Sequence, residues 1–328
     1  MNPVNSIKRI GLLTSGGDAP GMNAAIRSVV RMGYHLGIKT YGVMRGYQGL
    51  LSGGFKELGP RDVSNIIHRG GTILKTSRCA EFKTNSGLKK AKLNLDKKLL
   101  DGLIVIGGDG TYRGAYELSK VWSGQIIGVP GTIDNDLYGT DFTIGYDTAV
   151  NTALQAIDKI RDTAESHERM FLVEVMGREA GFIALDVGIS GGAEDVLLPE
   201  IKTNLKSISK HLYQAREAGK TSSIIIVAEG DEEGGAFQIA EKLKQLSGNE
   251  YHVVVLGHLQ RGGTPTSSDR KLATELGAFA LLQMIEGKNK VAVGRLRGVL
   301  STTLLSQTWK RKKPLDPFLL KLLPILAK

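Results

Sequence analysis

The chain has a single cysteine, Cys79, among 328 residues. One thiol cannot close an internal disulfide or hold a metal alone, so a disulfide scaffold is excluded and bound ions must rely on oxygen ligands. Aromatic residues are scarce, at 6% of the chain. The lysine-rich stretch 83–98, KTNSGLKKAKLNLDKK, has no aromatic interleaved, so it reads as a solvated helix and no nucleic-acid partner is expected. No apolar run approaches the roughly 20 residues that cross a bilayer. The first residues also lack the apolar stretch of a signal peptide, so a cytoplasmic chain with no membrane partner is expected. Low-complexity segments and repeats with a long period are missing as well. What is present is a formal charge of +10, which suits nucleic acid, an anionic membrane surface or a phosphorylated small molecule and by itself does not choose among them.

Short runs rich in Ile, Leu and Val recur at 8–14, 102–108, 126–130, 170–176, 223–229 and 253–257. Their length and continuity predict strands buried on both faces. Residues 148–165 place Ala149, Ala153, Ala156, Ile157 and Ile160 at helical spacing, with Asp158, Lys159, Arg161 and Asp162 turned outward. Strands alternating with helices predict an α/β protein with largely parallel sheets, and 328 residues suggest two domains. In the tail, KRKKPLDPFLLKLLPILAK (310–328), prolines interrupt an apolar run. Docking on the body or on a second subunit is expected there, the prolines breaking any long amphipathic helix.

Ligands of such sheets bind at the carboxyl ends of the strands. That is where SGGD (15–18), GGDGT (107–111), PGTIDND (130–136) and GHLQRGG (257–263) fall. Gly16 and Gly17 turn into an amphipathic stretch carrying Met22, Ile26, Val29 and Val30, and a glycine turn opening a helix is a seat for phosphate. In GGDGT, glycines admit a phosphate chain and Asp109 can hold a magnesium ion, with Thr111 adding a hydroxyl. In PGTIDND, one carboxylate can accept a proton from an attacking hydroxyl while the other reaches a metal. Arg169, Arg178, His258 and Arg261 adjoin apolar strands as candidate cations for phosphate.

Eight motifs occur in an order that resembles the bacterial ATP-dependent 6-phosphofructokinases: SGGDAPGMNAAIR, RGGT (69–72), GGDGT, PGTIDND, TIGYDTA, VMGR, AEG (228–230) and GHLQRGG. The resemblance spans about residues 7–290. It implies two similar three-layer α/β domains with the active site in the cleft between them. The larger, nucleotide-binding one would comprise 1–144 plus 259–308, and the smaller, sugar-phosphate-binding one 145–258 plus 309–328. The implied reaction moves the γ-phosphoryl of ATP to the 1-hydroxyl of fructose 6-phosphate, with Mg2+ as cofactor. On matching positions Asp134 is the implied base, with Arg178 and Thr132 stabilising the transferring group. Asp109 and Asp136 are implied at the metal, and Gly17, Arg78, Cys79, Gly108, Gly110 and Thr111 at the nucleotide. Ile133, Met176, Gly177, Glu229, His258, Leu259, Gln260 and Arg261 are implied at the sugar phosphate, with Arg169 and His252 reaching in from another subunit of a homotetramer. An effector site would use Arg27, Arg31, Arg161, Gly192, Glu194 and Lys220.

Pyrophosphate-dependent relatives carry an acid at Gly110 and a lysine at Gly131, so two glycines there imply ATP, by leaving room for the α-phosphate and nucleoside. Two departures stand out. His252 replaces a usual arginine, and a histidine, ordinarily titrating at about 6.5, gives a pH-dependent contact in place of a fixed fork. Pro60, Asn65, Ala218, Thr221 and Ser222 replace charged or histidine residues of the effector site, leaving it half kept. Rival readings are another kinase with a GGDG loop, acting on NAD or a lipid, and a non-catalytic nucleotide sensor. PGTIDND and GHLQRGG speak against the first, and intact Asp134, Arg178 and Asp109 against the second.

Overall fold

The structure, a computed structural model, describes residues 7–326. Its strands are β1 (Arg9–Thr14), β2 (Lys39–Val43), β3 (Phe55–Leu58), β4 (Gly102–Gly107), β5 (Gln125–Pro130), β6 (Met170–Val175), β7 (Asp195–Leu197), β8 (Ser223–Ala228), β9 (Tyr251–Val255), β10 (Val291–Leu296) and β11 (Val299–Leu304). Its helices are α1 (Met22–His35), α2 (Gly46–Ser52), α3 (Asn85–Lys97), α4 (Asp109–Leu118), α5 (Tyr146–Ser166), α6 (Phe182–Ser190), α7 (Leu205–Glu217), α8 (Ala236–Ser247), α9 (Ser267–Ile285), α10 (Gln307–Lys310) and α11 (Pro317–Leu326). The chain divides into two compact units. Unit 1 runs to Ile133 and adds Leu137–Thr148 and Arg261–Lys313; unit 2 is Asp134–Asp136, Ala149–Gln260 and the segment from Pro314.

Unit 1 is built on a seven-stranded sheet in the order β11-β10-β5-β4-β1-β2-β3. The inner pairs are parallel and both outermost strands antiparallel. Strands β1, β4 and β5 sit in the middle and are buried almost throughout, so their sequence shows no alternation. One face is covered by α1 and α9, which pack on each other. The other carries α2, α3 and α4 over a core that includes Leu50, Phe82, Leu95, Leu103 and Tyr112. The lysine-rich segment is a helix as expected, but one face is sunk into that core through Leu88, Ala91 and Leu95.

Unit 2 holds a four-stranded, all-parallel sheet in the order β7-β8-β6-β9. Helices α7 and α8 close one face around Leu172, Ile208, Ile225, Ile239 and Leu243, while α6 lies against β8 and α11 against α6 and β7. One expectation needs correction. The run at 253–257 is not a strand buried on both faces: β9 starts at Tyr251, forms the sheet edge and is half-exposed. The tail forms only the short helix α11 of 10 residues, docked on α6 and β7 of the body, as one of the two expected placements has it. Pro317 takes the first position of α11, where a missing N–H costs nothing, and Pro324 sits within its last turn.

Candidate active site

Adjacent parallel strands deliver their carboxyl-terminal loops side by side. In unit 1, Thr14 pairs with Ile106 and Gly107 with Pro130, so the loops after β1, β4 and β5 share one edge. They are stitched together: Ser15 N donates to Ile106 O (3.1 Å), Gly131 N to Gly107 O (3.1 Å) and Thr111 Oγ1 to Ser15 O (3.0 Å). Gly107 has no room for a side chain, because a Cβ there would fall 2.5 Å from Ser15 O.

Helix α4 begins at Asp109 with Gly108 as its N-cap residue and no side-chain cap. Its first amides and the positive end of its dipole therefore remain available to an anion. The helix also carries Arg113 one turn on, whose Nε donates to Asp109 Oδ1 at 2.7 Å. The expected entry at Gly16 and Gly17 differs: α1 begins only at Met22, after Gly21, so those two glycines form a loop edge and not the first turn of a helix. Gly17 faces a cation instead. A Cβ on it would lie 2.5 Å from Arg261 Nη1, which also donates to Asp18 O. Arg78 and Cys79 border a hollow of about 330 Å³ together with Gln48, Ser52 and Lys90.

The loop after β5 passes from unit 1 to unit 2 between Ile133 and Asp134. Thr132 and Ile133 are buried, and Thr132 flanks Gly108. In unit 2, the Asp134 carboxylate is only 2% exposed and meets Arg178 Nε at 3.3 Å. Arg178 adopts φ 54° just beyond β6, and its amide donates to Glu229 Oε2 beyond β8. Gly230 makes this approach possible, since any Cβ there would strike Arg178 O. Met176 N donates to Gln260 Oε1 (2.8 Å), joining the ends of β6 and β9. The unit thus gathers a buried carboxylate, a guanidinium and a second acid at one edge of its sheet.

The phosphofructokinase family profile matches residues 9–284. This chain belongs to the phosphofructokinase family. It is 53% identical to the ATP-dependent 6-phosphofructokinase 1 of Thermus thermophilus, over 98% of this chain and the whole of that one. It is 50% identical to the ATP-dependent 6-phosphofructokinase of Shouchella clausii, over 96% of this chain and 98% of that one. Among solved structures, the phosphofructokinase of Saccharomyces cerevisiae superposes with a TM-score of 0.87 at 36% identity, covering 92% of this chain and 45% of that longer one. A pyrophosphate-dependent phosphofructokinase from Marinobacter aquaeolei reaches a TM-score of 0.83 at 25% identity, covering 94% of this chain and 86% of that one.

Within this phosphofructokinase the sequence-derived residues fall into four groups. Gly17, Gly108, Asp109, Gly110, Thr111 and Thr132 line the joined loops of unit 1. Asp134, Met176, Gly177, Arg178, Glu229 and Gln260 assemble in unit 2, with exposed His258 and Leu259 in the following turn. Arg169 and His252 stand apart from these. They lie at the amino ends of β6 and β9, with His252 opposite Phe171, whereas Met176 and Arg178 follow the carboxyl end of β6. Six strand residues at about 3.3 Å each separate the two sets by roughly 20 Å. In the fourth group, Glu194 receives Lys220 Nζ at 2.7 Å and Arg161 Nη1 at 3.9 Å, and Arg161 also donates to Gly192 O. Arg27 and Arg31 lie on α1 of unit 1.

The reasoning about Gly131 needs correction. A side chain there would not enter open space: its Cβ would fall 2.9 Å from Ile106 Cγ2 and 3.0 Å from Met22 Cε, both in the core. Gly110, by contrast, faces nothing within 4 Å. Sequence reasoning also passed over Arg113 and Tyr47. The buried Tyr47 hydroxyl donates to Thr111 O, and burial pushes its pKa up, keeping it a donor. A helical i, i+4 spacing from Asp109 would have flagged Arg113; nothing local would have flagged Tyr47.

For magnesium the donor chemistry fits. Among the described residues no three carboxylate, imidazole or thiolate side chains gather. Magnesium keeps much of its shell for water and phosphate oxygens, so a partly exposed carboxylate such as Asp109 is an oxygen donor of the right kind, while the uncapped helix start beside it suits the phosphates and not the ion.

Proposed function

We infer that this chain transfers the γ-phosphoryl of ATP to the 1-hydroxyl of fructose 6-phosphate, releasing ADP and fructose 1,6-bisphosphate. The carrying observation is the buried Asp134 carboxylate held against Arg178 in a phosphofructokinase chain. Relatives matched over their whole length support ATP as donor, being named ATP-dependent 6-phosphofructokinases. They disfavour both a GGDG-type NAD or lipid kinase and a non-catalytic sensor.

In this reading the residues of unit 1 hold the nucleotide and those of unit 2 the sugar phosphate. Gly108, Gly110 and the first amides of α4 cradle the phosphates, and Arg78 and Cys79 line the nucleoside end. Asp109, with Asp136, would hold Mg2+, and that ion would supply positive charge to offset the phosphate chain. Asp134 accepts the proton of the sugar hydroxyl as the bond to phosphorus forms. Arg178 and the Thr132 hydroxyl offset charge on the transferring group, and release of Arg178 from Asp134 frees a guanidinium for it. Glu229, which already receives the Arg178 amide, His258 and Arg261 hold the sugar phosphate.

The distance of Arg169 and His252 from that set favours a homo-oligomer, a tetramer, in which they serve a neighbouring subunit's site. The Glu194, Arg161 and Lys220 cluster is the effector candidate. A cytoplasmic location accords with the fact that no described helix is long and apolar enough to cross a membrane.

The test is a coupled assay with ATP and with pyrophosphate, on the wild type and Asp134→Asn. Wild type turns over with ATP only, and Asp134→Asn loses about 100-fold or more in kcat, the ordinary worth of a positioned base. Wild-type turnover in Asp134→Asn refutes the assignment.

A further inference from the structure

A second aspartate is buried with no role in the reaction described above. Asp269 lies in the first turn of α9 and is 1% exposed. An acid in a first turn ordinarily faces solvent and the helix's own amides. This one faces another segment. Its Oδ1 accepts from Gly145 N at 2.7 Å, and its Oδ2 accepts from both Thr148 N (2.8 Å) and Thr148 Oγ1 (2.5 Å). Thr148 Oγ1 in turn accepts from Thr266 N, and Thr266 caps α9 by accepting from Asp269 N. Three donors thus converge on one carboxylate, a load an amide side chain cannot carry because half of it is itself a donor.

The segment so held is the one that braces the loop after β5. Thr143 Oγ1 donates to Thr132 O at 2.6 Å, and Ile144 N donates to Pro130 O at 2.9 Å, forming a bridge between Gly131 and Ile144. Gly145 can sit there only as glycine, at φ 99° with a Cβ position 2.6 Å from that of Ala19. All these residues belong to unit 1, so the path from Asp269 to Thr132 runs through a single compact body.

We propose that Asp269 is a positioning residue for phosphoryl transfer: through Gly145 and Thr148 it sets segment 143–145, whose Thr143 and Ile144 fix Pro130 to Thr132 and so the start of the Asp134 loop. The proposal rests on the assignment of Thr132 and Asp134 to the reaction. Asp269 touches neither reacting group. Its effect falls first on the geometry of Thr132 and the Asp134 loop, and reaches the start of α4 only at second hand, through Gly131 N on Gly107 O and Thr132 beside Gly108.

The experiment uses the full chain and the variants Asp269→Asn, Thr143→Val and the double variant, each checked by circular dichroism and thermal melting. Asp269→Asn is expected to lower kcat about 10- to 100-fold, the scale of a small misplacement near the chemistry, while KM for ATP changes much less than kcat does. Thr143→Val, which cuts the path at Thr132 without touching Asp269, is expected to act likewise, and the double variant to lose no more than the worse single one. Should Asp269→Asn fail to fold, Thr143→Val carries the test alone. Wild-type kcat in the folded variants, a loss that only follows the unfolded fraction, or losses that multiply in the double variant overturns the proposal. Failure of the active-site reading shows separately, as wild-type turnover in Asp134→Asn.

Discussion

Burial and hydrogen bonding oppose each other at Asp269. Desolvation raises its carboxyl from an ordinary 3.8 to about 6, the three donors hold it down, and the nearby Asp147 charge pushes it up again. The folded chain therefore binds this proton more tightly than the unfolded one, so the contribution to stability is complete below the unfolded value and is lost as pH rises through about 6. A difference of about two units corresponds to about 3 kcal/mol. Urea titrations of the wild type and Asp269→Asn at pH 4 and pH 7 should show the wild type gaining most of that, about 2.4 kcal/mol, relative to the variant at the lower pH. A constant difference across that range refutes the shift. Asp109, Asp134, Asp136 and Glu229 were visible in the sequence as candidate chemistry, but this carboxylate was not. SSDR reads as an ordinary helix start until the fold brings Gly145 and Thr148 to it.

Among the elements, legibility followed burial. Strands β1, β4, β5, β6 and β8 are buried on both faces and stand out as continuous apolar runs. Strands β2, β3, β7, β10 and β11 passed unnoticed because they are short or partly exposed, although Arg297 and Gly298, both at positive φ, mark a two-residue turn between β10 and β11. Helix α3 shows a local signal that holds. Thr84 accepts from Gly87 N at 3.0 Å and donates to Glu81 O, so its side chain caps the helix on which Leu88, Ala91 and Leu95 enter the core. Thr84→Ala should cost about 1 kcal/mol, read as a lower urea midpoint at unchanged slope, with KM for fructose 6-phosphate unaffected.

At the scale of the whole molecule, Arg169 and His252 lie at the amino ends of β6 and β9, away from Met176 and Arg178 beyond the carboxyl end of β6, and the proposed function assigns the first pair to a neighbouring subunit's site. If neighbouring subunits share sites, two dead variants can repair each other. Arg169→Ala and Asp134→Asn, each inactive alone, should recover activity when co-expressed, because mixed oligomers contain some sites with both residues intact. Activity of the co-expressed pair equal to the sum of the two alone refutes sharing.

The residue order alone marks the glycine- and acid-rich loops as candidates, because buried parallel strands and the turns after them are local patterns written in neighbouring positions. It also settles the family, through eight such patterns in one order. What each side chain faces was decided only by tertiary structure. Gly131 points into the core, Arg261 against Gly17, and Asp269 onto the segment that holds Thr132. Those contacts join positions as much as 244 residues apart, as between Gly17 and Arg261, and no local period or propensity records them. They follow from strand register and helix placement, which the core fixes only when the chain closes on itself.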